Sequence, residues 1–120
     1  MNTLRAEGTE DTPHIVLDKD RGVLEISGRS LPEDSAGFYK PVLDWIEAYS
    51  KDPNADTTLI FKLEYFNTAS AKLILDVLSA VEDISNMKIM WYYHEDDEDM
   101  EEAGQEFSEL VAIPFEFKTY

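Results

Sequence analysis

Thr68 and Ser70 carry the aliphatic hydroxyls of "EYFNTASAKLIL", where four small or polar residues, Asn67, Thr68, Ala69 and Ser70, separate two apolar runs. The upstream run "TTLIFKLEYF" is rich in β-branched and aromatic residues and reads as a strand over about Thr57 to Phe66. The downstream run "AKLILDVLSAVEDI" carries apolar residues at helical spacing. "NTAS" therefore marks a strand-to-helix junction, the kind of place where sites are built. Either Asn67 or Thr68 can cap the helix, because its side-chain oxygen can accept a hydrogen bond from an amide two or three residues on, worth ~1 kcal/mol. Capping alone accounts for the pair. The functional alternative is phosphorylation, since a phosphate at this point faces free amides and the positive helix end, and the fold can hold the dianion. Thr68 lies nearer the mouth of the turn than Ser70.

Other chemistry finds less support. Residues 95–106 hold eight acids in twelve positions. A calcium-binding loop of the hand type needs alternating oxygen ligands, glycine at its sixth position and glutamate at its twelfth, and Gly104 falls instead inside an amphipathic helical pattern. A solvated face or a docking surface for a basic partner fits the run better. His14 and His94 have no local partners that suggest a triad or a zinc pair. No glycine-rich phosphate loop, nucleophile elbow or kinase signature occurs. The chain has no cysteine, which removes thiolate chemistry and the common structural zinc sites.

The elements that must position the junction follow from periodicity. "HIVLD" and "VLEIS" flank "KDRG", whose Gly22 can take positive φ, and read as a hairpin at one sheet edge. Phe38, Val42, Trp45, Ile46 and Tyr49 share a helical face, with the regular helix expected over residues 41–50 because proline suits a helix start. On the helix after the junction, Lys72, Asp76, Ser79 and Asp83 form a narrow polar stripe. Its apolar arc of Leu73, Ile74, Val77, Leu78, Val81 and Ile84 is wider than a helix needs to cover a sheet. "MKIMWYY" reads as a buried strand whose aromatics, with Tyr65, pack the core. A helix follows with Met100, Ala103, Phe107, Leu110 and Val111 on one face, and "PFEFKTY" is a short closing strand. Acids crowd the start of that last helix, where they favour its positive end. The order ββαβαβαβ implies an α/β layered domain with right-handed crossovers. Residues 1–12 show no periodicity and read as a flexible arm, and residues 13–120 as one domain.

With 120 residues and 43% hydrophobic composition, one core is the expectation. Ten basic against 26 acidic residues give a net charge of -16. That field disfavours nucleic acid and anionic lipid surfaces and is compatible with a basic protein surface. The start is polar and no run is long and apolar enough to span a membrane, so a cytoplasmic place without direct membrane insertion is expected.

Taken together, "GTEDTP", "GRSLPEDS", "FYKPVLDW", "EYFNTASAK" and "WYYHEDDEDMEEAGQEF" resemble the SiaC-type regulatory phosphoproteins of bacteria, over most of the chain. The resemblance implies a STAS-like mixed sheet with an N-terminal hairpin and about three helices. It implies a non-enzymatic switch without a cofactor, phosphorylated by a cognate serine/threonine kinase and restored by a PP2C-type phosphatase. The unmodified form is implied to bind and activate a diguanylate cyclase, raising cyclic di-GMP and promoting aggregation or biofilm formation. The family's phosphoacceptor threonine matches Thr68, and Asn67, Ala69, Ser70 and Lys72 match its surroundings as candidate partner contacts. The expected docking surface joins the junction to the exposed part of the helix over residues 73–84. The STAS antagonists of anti-sigma factors carry Asp-Ser-Ser/Thr-Gly where this chain reads Asn67, Thr68, Ala69, Ser70. An anti-sigma antagonist is thus the alternative function, and a metal-binding acidic domain a further one.

Overall fold

The computed structural model describes residues 1–120. Six strands form one sheet in the order β1-β2-β3-β4-β5-β6: Leu4–Ala6, His14–Asp18, Val23–Ser30, Thr57–Phe66, Met87–Tyr93 and Phe115–Thr119. Helices α1 (Ser35–Ser50), α2 (Thr68–Val81) and α3 (Glu98–Leu110) connect the last four strands. β1, β2 and β3 pair antiparallel, and every later pairing is parallel. The three crossovers step across the sheet in one direction, so a common right hand puts all three helices on one face. A single core of 24 buried side chains lies between them and the sheet. The opposite face carries Val16, Glu25, Ile60, Lys62 and Tyr92; Met90, 9% exposed, is buried there outside the core.

Three expectations change. Residues 1–12 are not an unstructured arm: Leu4 to Ala6 add an edge strand to β2, and Leu4 and Ala6 pack on the core. The Trp45 indole also donates to the Asn2 carbonyl at 2.9 Å. Three residues are too few to show a period in the sequence. α1 begins at Ser35, six residues before Pro41, because Asp34 caps it by accepting from the Gly37 amide at 3.1 Å. Pro41 lies on the exposed side of that helix, where the carbonyl it leaves unpaired can turn to water. Tyr65, read as core, is 47% exposed, and Leu110, expected on one helical face with Met100 and Phe107, is 63% exposed while those two are buried.

The hairpin turn is as expected, with Gly22 at φ 65. α2 is central, lying on the sheet and against α1, and this two-sided contact is why its apolar arc is wide: Leu73, Ile74, Val77, Leu78, Val81 and Ile84 are all buried. Gly104, in the middle of α3, lies against Trp91. A methyl group there would stand 2.5 Å from the indole ring, so only glycine lets the helix settle this closely. The Trp91 indole donates to the Met100 carbonyl at 2.9 Å.

Candidate functional site

A β-bulge creates the junction. Gly28 pairs with Leu63 but Arg29 pairs with Tyr65, so Glu64 is an extra residue on β4. The extra residue reverses the alternation of the strand. Leu63 faces the core, Glu64 and Tyr65 face water, and Phe66 turns back toward Phe107, with ring centroids 6.1 Å apart. Gly28 accommodates the distortion with φ 95, a conformation that side chains resist. β4 then ends against β3, where the Asn67 amide donates to the Ser30 carbonyl at 3.1 Å, and α2 starts at once.

The structure separates the roles that the sequence left open. Asn67 is the cap: its backbone is extended and its Oδ1 accepts from the Ser70 amide at 2.8 Å. Thr68 is therefore free of capping duty. It is the first residue of the helix, it is exposed, and its hydroxyl has no hydrogen-bond partner within the protein. The amides of Thr68 and Ala69 belong to the first turn, which has no intrahelical acceptors for them, and the helix dipole is positive there. Ala69 and Lys72 are exposed beside Thr68, and Lys72 forms no ion pair.

Ser70 does not face outward. It is fully buried, and its Oγ accepts from Ser30 Oγ at 2.9 Å, while Ser30 Oγ lies 2.7 Å from the Tyr39 hydroxyl. This chain of three buried hydroxyls ties the end of β3 to α1 and to the start of α2. Burial pushes the Tyr39 phenol above its ordinary 10.0, against the smaller opposing effect of its hydrogen bond with Ser30, so it stays neutral at physiological pH. Ser30 and Tyr39 escaped the sequence reading because no periodicity distinguishes a buried hydroxyl; the one available signal was a serine at an inward position of β3. Ser70 thus fixes the junction from beneath, and the outer surface of the junction presents Asn67, Thr68, Ala69 and Lys72.

The acidic run is distributed around α3. Asp97 caps the helix by accepting from the Met100 amide at 3.0 Å, and Glu98, Asp99 and Glu101 occupy the first turn. No three His, Asp or Glu side chains converge as metal ligands. His94 packs on Tyr120, with Nδ1 3.1 Å from its carbonyl oxygen.

Residues 6–120 match the family model described as SiaC family regulatory phosphoprotein. The chain belongs to the SiaC family. An uncharacterised protein of Pseudomonas aeruginosa (strain UCBPP-PA14) is 32% identical, over all of this chain and 98% of its own. The crystal structure of apo-SiaC from Pseudomonas aeruginosa superposes with a TM-score of 0.88 at 32% identity, covering 98% of this chain and 99% of that one. A second crystal structure holds the diguanylate cyclase SiaD in complex with its activator SiaC from the same organism. Its SiaC is similar with a TM-score of 0.90 at 31% identity, again over 98% and 99% of the two chains. Membership of this family makes the chain a regulatory protein and not an enzyme.

Proposed function

We propose that the unmodified chain binds and activates a diguanylate cyclase in the cytoplasm, and that phosphorylation of Thr68 by a cognate serine/threonine kinase releases it. A PP2C-type phosphatase resets the switch, and the output is cyclic di-GMP signalling toward aggregation or biofilm formation. The observation that carries this reading is the contrast between two hydroxyls: Thr68 is exposed and unbonded, whereas Ser70 is sealed beneath the helix. The complex of the similar SiaC with a cyclase supports the choice of partner.

A phosphate on Thr68 adds about -1.5 to -2 charge at the docking surface. It lies one helical turn before Lys72, so it also draws that ammonium away from a partner. Burying the dianion against an uncharged or acidic surface costs on the order of several kcal/mol, enough to lower affinity by orders of magnitude. Coexpression with the kinase, followed by intact-mass and fragment mass spectrometry, tests the assignment. One phosphoryl group on Thr68, absent from Thr68→Ala and retained in Ser70→Ala, is the expected result. Modification at any other residue, with Thr68 untouched, overturns it.

A further inference from the structure

β6 ends the sheet on the side away from β1, and its outer edge pairs with no strand. α3 rests on β4, β5 and β6, so it is centred near β5 rather than over that edge. The Ile89 amide donates to the Pro114 carbonyl at 2.9 Å, and the Tyr120 amide to the Tyr93 carbonyl at 3.2 Å. In a parallel ladder the bonded residues alternate, so Glu116, Lys118 and Tyr120 turn their backbone groups inward to β5. Phe115, Phe117 and Thr119 therefore turn theirs outward, where the chain offers no hydrogen-bond partner. A row of free amides and carbonyls is a template for another strand.

The side chains of the same strand are complementary to a second copy of themselves. Glu116 and Lys118 stand in register with Met90 and Tyr92 on the helix-free face and are exposed. Phe115 and Phe117 lie on the helix face, only partly buried at the rim of the core, with ring centroids 5.9 Å apart. Two such strands meet antiparallel about a two-fold axis only in registers that match their outward backbone groups. An axis through Glu116 or Lys118 sets like charges opposite each other, whereas one through Phe117 aligns each Glu116 with the second copy's Lys118. That register also sets Phe115 opposite Thr119 and Phe117 opposite itself, so every outward amide and carbonyl gains a partner. Glu116 and Lys118 then form the closer, non-hydrogen-bonded pairs, about 4.5 Å between Cα atoms, where opposite charges attract.

We infer that the outer edge of β6 is a self-association surface, through which two copies of this chain join antiparallel about Phe117 into one continuous sheet. The contact uses the same patch on both copies, so it closes as a dimer and leaves no open edge at β6 for further growth. The Phe115 and Phe117 rings of both copies cover the new strand pair on the helix face. The two α3 helices, each centred near β5, stand about three strand spacings, or roughly 14 Å, apart, which exceeds a helix diameter of about 10 Å and leaves room for those rings.

Sedimentation equilibrium of the purified full chain tests this at about 0.15 M salt, which screens the mutual repulsion of two chains of net charge -16. The wild type should associate to a dimer, and Glu116→Lys and Lys118→Glu should each weaken it about tenfold or more. Exchanging both charges in one chain should restore it, and circular dichroism checks that each variant is folded. The chain has no cysteine, so introduced thiols report the register. When Glu116→Cys and Lys118→Cys chains are mixed and oxidised, the mixed disulfide should well exceed the half share that random pairing gives. A wild type that stays monomeric up to about 1 mM overturns the proposal. So does a double exchange that fails to restore association, or a mixed disulfide at or below the random share.

Discussion

Removing hydroxyls one at a time around the junction should produce a definite order of stability losses. Ser30 is the centre of the buried chain, bonded to Tyr39 at 2.7 Å and to Ser70 at 2.9 Å. Ser30→Ala deletes both bonds and strands two hydroxyls in a site without water access, for a loss of about 2 to 4 kcal/mol. Ser70→Ala and Tyr39→Phe each remove one bond and leave Ser30 with its other partner, so each should cost about 1 kcal/mol. Thr68→Ala removes an exposed, unbonded hydroxyl while the Asn67 cap remains, and should shift stability by less than about 0.5 kcal/mol. Urea unfolding followed by tryptophan fluorescence reads all four, since Trp45 and Trp91 both lie in the core. If Thr68→Ala is as destabilising as Ser70→Ala, the assignment of Thr68 as a free hydroxyl and Ser70 as a structural one is wrong.

Three further perturbations probe the same framework. Asn67→Ala should cost about 1 kcal/mol by chemical denaturation, because the Ser70 amide loses its acceptor. Gly104→Ala should destabilise by about 1 to 3 kcal/mol despite the better helix propensity of alanine, because its methyl group meets the Trp91 ring; a thermal shift upward would refute the close approach. The Tyr39 phenol keeps its proton in the folded chain above the pH at which the unfolded chain loses it. Its contribution is therefore complete below pH 10.0 and is lost as pH rises through the higher folded value, and Tyr39→Phe should flatten that alkaline decline in denaturation midpoints.

Much of this architecture was legible in the residues. β4 and the helix after it follow from a change of period from two to 3.6 at "NTAS", and Gly22 marks its turn by conformational necessity. The first strand was hidden because three residues cannot display a period and its order comes from β2 and Trp45. The true start of α1 was hidden because Pro41 is a stronger local signal than Asp34, although an exposed proline inside a helix is tolerated. The junction itself was half visible. Spacing placed Asn67 and two hydroxyls there, but which residue caps, which is buried and which is free depends on the bulge at Glu64 and on Ser30 and Tyr39, residues distant in sequence.

The most direct test of the switch is the affinity of homogeneously Thr68-phosphorylated protein for the diguanylate cyclase, compared with the unmodified protein at the same ionic strength. Desolvation and repulsion of the dianion predict binding weaker by at least about a hundredfold, restored by phosphatase treatment. Equal affinity of the two forms would contradict the account.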